Sequence, residues 1–251
     1  MELVEKRRAG APRGFFAAEA AGLRWLRVDG GAQVVRVRQV DGESISVERV
    51  YPGTPTREVA ARFGAELTVT HDAGAAGFGA RPEGYDGDCF IGDAELPMPT
   101  TPLPNWGEFY ARYRVLPYVE QAAQRRLIRN TAPFERVAER LINGEFDDAA
   151  PPARIHGDLW AGNVLFTAAA AVLIDPAAHG GHRVTDLAML ALFGCPHLET
   201  IYAAYEANSA HLPADWRSLI KLHQIHPLLV HVVLFGSGYT SQAEAAVKPY
   251  L

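Results

Sequence analysis

The sequence predicts an α+β fold of two lobes, a small antiparallel sheet with one helix over residues 1–50 and a mostly helical lobe over 51–251. Three observations predict it. Strand-type runs and a strong Asp41-Gly42 turn signal crowd the first fifty residues. Helical periodicity dominates after Thr56. One isolated pair of short apolar runs, Val164-Leu165-Phe166 and Ala171-Val172-Leu173-Ile174, interrupts those helices and reads as a hairpin.

Residues 2–6 read as a strand ending on Lys6, and the turn Ala9-Gly10-Ala11-Pro12 leads into a helix over 15–27. Phe15, Phe16, Ala20, Leu23 and Leu26 fall near helical spacing, with Glu19 on a neighbouring face. Runs 33–38 and 44–50 flank Asp41-Gly42 as a hairpin, and Pro52-Gly53 stops the second. A helix over 56–71 carries Val59, Phe63, Leu67 and Thr70 on one stripe and ends on His71, for which a core or capping role is expected. The Gly- and Pro-rich stretch 74–104 reads as a long ordered loop over the large lobe. Its Gly77-Phe78-Gly79 is no phosphate loop, because no strand precedes it and no helix follows. A helix over 106–129 should kink at Pro117, and a helix over 134–142 stops at Asn143-Gly144. Asp186 opens a helix and reads as a brace for the backbone of the loop at His156. The C-terminal part is helical over 198–207 and 215–234, with a break expected at Pro227 and with His223 and His226 as core residues.

The chemistry gathers around the hairpin. His156-Gly157-Asp158 precedes it, Asn163 stands at its entry and Asp175 at its exit. In phosphoryl transfer one carboxylate orients a hydroxyl and accepts its proton, while an Asn and a second Asp hold Mg²⁺ against the nucleotide phosphates. Protein kinases keep the same five-residue interval between the base and the Asn. Asp158 is therefore the expected base, and Asn163 and Asp175 the expected metal ligands. A tight turn in which Asp158 and Asn163 only cap backbone groups would explain either residue alone, but not all three at these intervals. His179-Gly180-Gly181-His182 offers two imidazoles without Cys or carboxylate at ligand spacing, so zinc is not expected there.

Three stretches carry a resemblance. His156-Gly157-Asp158-Leu159-Trp160-Ala161-Gly162-Asn163, then Ile174-Asp175-Pro176-Ala177-Ala178-His179-Gly180-Gly181-His182, then Thr185-Asp186-Leu187-Ala188-Met189-Leu190-Ala191-Leu192-Phe193-Gly194 resemble the fructosamine kinase (ketosamine-3-kinase) family. That family belongs to the aminoglycoside-phosphotransferase-like branch of the two-lobe protein-kinase-like fold. Trp160 separates the chain from aminoglycoside and choline kinases, which tend to carry other residues there. The resemblance implies ATP and Mg²⁺ as cofactors, with Lys6 gripping phosphate and Glu19 holding Lys6 in place. It implies that backbone groups from Glu48 to Val50 meet the adenine, that Trp160 lies against the sugar, and that His231 faces the substrate. Cys89, in Asp88-Cys89-Phe90-Ile91-Gly92, stands where the family usually has Asn.

The implied reaction is MgATP-dependent phosphorylation of a sugar hydroxyl on a ketoamine such as fructosyl- or ribulosyl-lysine. Two other readings stay open: a kinase for another small hydroxylated amine of the aminoglycoside kind, and a catalytically silent module that binds nucleotide or ketoamine. The silent reading arises because relatives carry several tens of residues before the phosphate-binding Lys, whereas five precede Lys6 and no Gly-rich loop is among them. The small lobe is accordingly expected to be N-terminally truncated, to lack the lid over the phosphates and to turn over slowly.

Composition narrows the partners. Hydrophobic residues make up 48% and charged residues 21% of 251 positions, as in an ordinary globular chain. The net charge of −5 gives no electrostatic support for a nucleic-acid partner. Cys89 and Cys195 do not make a disulfide framework, the first eight residues hold no apolar signal segment, and no apolar run reads as long enough to span a membrane. The expectation is a cytoplasmic enzyme whose partner is a small glycated-amine substrate.

Overall fold

In the computed structural model, which describes residues 2–251, the chain begins with β1 (Leu3–Arg7), followed by α1 (Phe15–Trp25), β2 (Gln33–Val34), β3 (Val37–Val40) and β4 (Ser44–Glu48). β1 and β3 both pair antiparallel with β4, giving the sheet order β1-β4-β3 and setting Lys6 opposite Ile45. Asp41 closes the β3–β4 turn by accepting from the backbone N–H groups of Glu43 (2.8 Å) and Ser44 (2.7 Å). β2 departs from the expected hairpin. It pairs in parallel with the strand at Ala171–Leu173, and Val35 N–H donates to Leu173 O at 3.0 Å. The reason is burial: the adjacent Val34 and Val35 are both buried, which a strand with one wet face cannot provide.

α2 (Arg57–Asp72) starts at Thr56, whose hydroxyl accepts from Val59 N–H at 3.2 Å. The stretch expected as a plain loop contains a second small hairpin, β5 (Cys89–Ile91) with β6 (Ala94–Leu96), turned at Gly92. Then come α3 (Trp106–Tyr110), a π-helical turn over Ala111–Val115, α4 (Leu116–Gln124) and α5 (Ala132–Ile142). Pro117 thus lies directly after the wide π-helical turn, and the Tyr113 carbonyl that its missing N–H would have met accepts from Arg114 Nη1 at 3.0 Å. β7 (Ala153–Ile155), β8 (Val164–Phe166), β9 (Ala171–Leu173) and β10 (His179–Gly181) follow, with β8–β9 as the expected hairpin and β7 paired to β10. Three consecutive Ala residues in the β8–β9 turn, Ala168, Ala169 and Ala170, are tolerated because the Thr167 hydroxyl accepts from the N–H groups of Ala169 (3.2 Å) and Ala170 (3.0 Å).

The chain ends with α6 (Arg183–Leu192), α7 (Leu198–Asn208), α8 (Ile220–Phe235) and α9 (Thr240–Val247). α8 runs unbroken through Pro227, contrary to the break expected there. Proline removes the N–H that would meet the carbonyl four residues back, and the buried Tyr110 hydroxyl donates to that His223 carbonyl at 2.9 Å instead. Trp216–Phe235, 20 residues, is long and apolar enough to cross a membrane by composition; Lys221 and the interspersed histidines hide this from a simple count of apolar runs. In this fold its Leu222, Ile225, Leu229 and Val232 are fully buried against the aromatic core of α3, α4 and α5. A second core joins α1 and the first sheet to α2, the β8–β9 hairpin and α7, through Leu23, Leu26, Phe63, Phe166, Leu173 and Tyr202. The hairpin thus belongs to the second core, and the chain crosses between the cores just after Asp175, with Ala177 packing in the first and Ala178 in the second.

Candidate active site

The loop after β7 is held from behind. Asp186, fully buried in the first turn of α6, accepts from the N–H groups of His156 (2.7 Å) and Gly157 (2.9 Å) and pairs with His71 Nε2 at 3.1 Å. Burial pushes its carboxyl up, but these bonds outweigh it and hold Asp186 below the usual carboxylate range. His71 is kept neutral by burial, and its Nδ1 accepts from the Tyr205 hydroxyl at 2.7 Å. The brace expected of Asp186 is present, and His71, expected only in a core or capping role, is its support. Gly157 stands at φ +80°, and a Cβ there would lie 2.3 Å from Ala177 O. His156 ties this loop to the hairpin, its Nε2 donating to Ile174 O at 2.8 Å.

Asp158, Asn163 and Asp175 converge. Asn163 Nδ2 donates to Asp158 O (2.8 Å) and Asp158 Oδ2 (3.1 Å) and reaches Asp175 O at 3.4 Å. Asp175 follows β9 in the left-handed region at φ +53°, a conformation Asp tolerates better than most residues. Its carboxylate pairs with Lys6 Nζ, which also bonds Glu19 Oε1 at 2.7 Å. Burial pulls the Lys6 ammonium down, but Glu19 and Asp175 more than compensate, so it stays protonated. Asp158 is pushed up to about 6, chiefly by burial and further by the charges of Asp186 and Asp175, against the bond from Asn163. A carboxyl poised near neutrality is suited to accept a proton.

Two cavities meet at Asp158. One, of about 340 Å³, is bounded by Lys6, Glu19, Asn163 and Asp175 and rimmed by Arg7, Arg8 and Asp93. The other, of about 390 Å³, is bounded by Trp160, Phe193, His231, Phe235 and Tyr239. Asp158 and Gly92 line both. Trp160 packs edge-on against Phe193 at 6.3 Å between centroids, and the His231 ring stands 4.9 Å from the rings of both Phe193 and Tyr239. His231 Nδ1 donates to Pro227 O at 2.7 Å, which leaves Nε2 as an acceptor. Glu48 and Val50 are not among the residues bounding the first cavity. The Glu48 side chain pairs with Arg38, and its N–H donates to Arg36 O at 3.0 Å. His179 and His182 are likewise engaged, His179 Nδ1 with Ala177 O (2.8 Å) and His182 Nε2 with Asp148 (3.1 Å).

A fructosamine kinase family model matches residues 6–251. A protein of Thermus thermophilus named as a probable ketoamine kinase is 32% identical over 98% of this chain and 86% of its own length. The chain belongs to the fructosamine kinase family. As a member of that family it is a phosphotransferase. The crystal structure of a candidate fructosamine-3-kinase from Thermobifida fusca superposes with a TM-score of 0.87 at 45% identity, covering 98% of this chain and 84% of that one. An aminoglycoside phosphotransferase solved with streptomycin and ATP shares the fold alone, with a TM-score of 0.59 at 14% identity over 98% of this chain and 84% of that one. The kinase-like α+β fold expected from the sequence is thereby shown.

Within this fructosamine kinase fold, the sequence reading missed Phe193, Phe235 and Tyr239. A signal for two of them was present: Leu-Phe-Gly occurs at Leu192-Phe193-Gly194 and again at Leu234-Phe235-Gly236, each time closing a helix with a positive-φ Gly. The Arg8–Asp93 ion pair (2.6 Å), which fastens the end of β1 to the β5–β6 turn, had no such signal.

Proposed function

We propose that this chain transfers the terminal phosphoryl group of ATP to a sugar hydroxyl of a ketoamine, with Asp158 as the base. One observation carries this reading: Asp158 borders both the cavity edged by Lys6, Asn163 and Asp175 and the aromatic cavity edged by Trp160 and His231. A carboxylate at the meeting point of a cation-bearing cavity and a ring-lined one is what transfer between two bound molecules requires.

In this reading Lys6, steadied by Glu19, holds the nucleotide phosphates, and Trp160 lies against the sugar. Asp158 orients the acceptor hydroxyl and takes its proton as the oxygen bonds to the terminal phosphorus. The bond from that phosphorus to the bridging oxygen breaks, and ADP leaves. Asn163 and Asp175 suit Mg²⁺. The Asn163 Nδ2 is engaged with Asp158, which leaves its Oδ1 to bind, and one amide oxygen beside one carboxylate is the sparse all-oxygen set that Mg²⁺ accepts together with phosphates. When bound there, the ion would neutralise charge on the phosphates. The cytoplasm, where ATP is at hand, is the setting we assign.

The test is ADP release in a coupled assay across fructosyl and ribulosyl amines and, in parallel, aminoglycosides, with the phosphoester identified by mass spectrometry. Phosphorylated ketoamine is expected. Turnover of aminoglycosides alone would replace the acceptor, and calorimetric ATP binding without any turnover would reduce the chain to a binding module.

A further inference from the structure

Three of the large apolar side chains that stand exposed, Trp160 (40%), Phe193 (40%) and Phe235 (66%), converge on the mouth of one cavity. Exposed rings gathered in this way mark a surface that binds something apolar. The walls behind them are Met189, Val230, Leu234 and Tyr239, and no Lys or Arg lines the cavity. Its one carboxylate is Asp158, at the inner end. His231 supplies no positive charge: burial lowers its pKa, and its Nδ1–H is spent on Pro227 O.

A ketoamine placed with its sugar hydroxyl at Asp158 must extend its amine substituent along this wall. We propose that the cavity selects ketoamines whose amine carries an apolar, ring-bearing group without a free carboxylate. This rests on the ketoamine reading given above. A ring in the mouth removes apolar surface from water against Phe193, Phe235 and Tyr239. A free carboxylate in the same place loses its hydration, meets no cation, and shares the cavity with Asp158 of like charge. Phe193, Phe235 and Tyr239 are thus the specificity-determining residues, distinct from the residues that carry the transfer.

The test uses adducts of a single ketose that differ in one feature at a time. The phenethylamine adduct against the phenylalanine adduct isolates the carboxylate, and the phenethylamine adduct against the ethylamine adduct isolates the ring. The phenethylamine adduct is expected to exceed each of the others by at least ~10-fold in kcat/KM. Phe235→Ala, at a largely exposed position, should shrink the ring preference, and Phe235→Arg should shift preference toward the carboxylate-bearing adduct; thermal melts check that both variants fold. Equal kcat/KM for the phenethylamine and phenylalanine adducts, or no gain from the ring, overturns the proposal. Calorimetric binding of the same three adducts separates the two claims. If none is phosphorylated the ketoamine kinase reading falls, while the order of binding still decides the preference of the cavity: phenethylamine tightest upholds it, and a flat order defeats it.

Discussion

Asp158→Asn should make the protein more stable while disabling it, and the gain should depend on pH. The carboxyl has been raised from 3.8 to about 6, chiefly by burial. Below about pH 4 both folded and unfolded chains hold the proton, and Asp158 costs nothing. As pH rises from about 4 to 6 the unfolded chain ionises first, so the folded state loses stability, and above about 6 the loss is complete. A shift of roughly two units corresponds to at most ~3 kcal/mol, and solvent reaching Asp158 through the two cavities reduces this to ~1–2 kcal/mol. Asparagine is neutral throughout and can still accept from Asn163 Nδ2. In a chain of this size ~1–2 kcal/mol raises Tm by ~3–6 °C. Melting curves of both proteins at pH 4 and pH 8 should therefore nearly coincide at pH 4 and separate at pH 8, with the variant higher. Meanwhile kcat should fall at least ~10²-fold with nucleotide affinity little changed. A variant that is no more stable at pH 8, or whose advantage is the same at both pH values, refutes the claim that a buried charge is being carried for function.

Other perturbations address the rest of the site. In the unsubstituted protein, kcat/KM should rise as pH climbs through about 6, following ionisation of Asp158, and a rate flat from pH 5 to 8 would remove it as the base. Asp175→Asn should weaken Mg²⁺-dependent nucleotide binding, and an unchanged Mg²⁺ titration would reject that ligand. Gly157→Ala must find room where Ala177 O lies 2.3 Å from the new Cβ at φ +80°, so a loss of at least ~2 kcal/mol in denaturant unfolding is expected. Asp186→Ala strips the partners from two buried backbone N–H groups and from His71, and should cost ~3 kcal/mol or more together with most of the activity.

What was legible in the sequence was mostly local. Asp158, Asn163 and Asp175 lie around one hairpin, so their spacing in the chain is nearly their spacing in space. Asp186 could be read as a brace because it opens the helix next to that loop. Lys6 and Glu19 are different: only family resemblance pointed to them, and the ion pair of Lys6 with Asp175, 169 positions away, had no signal in the sequence. Glu48 and Val50 rest on resemblance alone, because an adenine contact through backbone groups leaves no side-chain signal in the sequence; the Glu48 side chain itself pairs with Arg38. Pro227 was read as a helix break because the Tyr110 hydroxyl that fills the missing bond comes from another helix. The aromatic mouth stayed hidden for a similar reason, since Phe193 and Phe235 end their helices and look like ordinary boundary residues until the two ends are seen side by side.

The contact between Lys6 and Asp175 has a consequence for what the site will admit. In the proposed reading, the ammonium that would hold phosphate and the carboxylate that would hold a divalent cation pair with each other. A free phosphate anion arriving alone must draw Lys6 away and leave Asp175 without its cation; a free divalent ion arriving alone leaves Lys6 with only Glu19. Either exchange breaks one ion pair to form another and gains little. Only a metal-laden nucleotide brings both charges at once, replacing one internal pair with two external ones. With Glu19 also on Lys6, one cation faces two carboxylates, so this corner of the site is net negative and, in the proposed reading, discriminates most strongly against a phosphate anion that arrives without its metal.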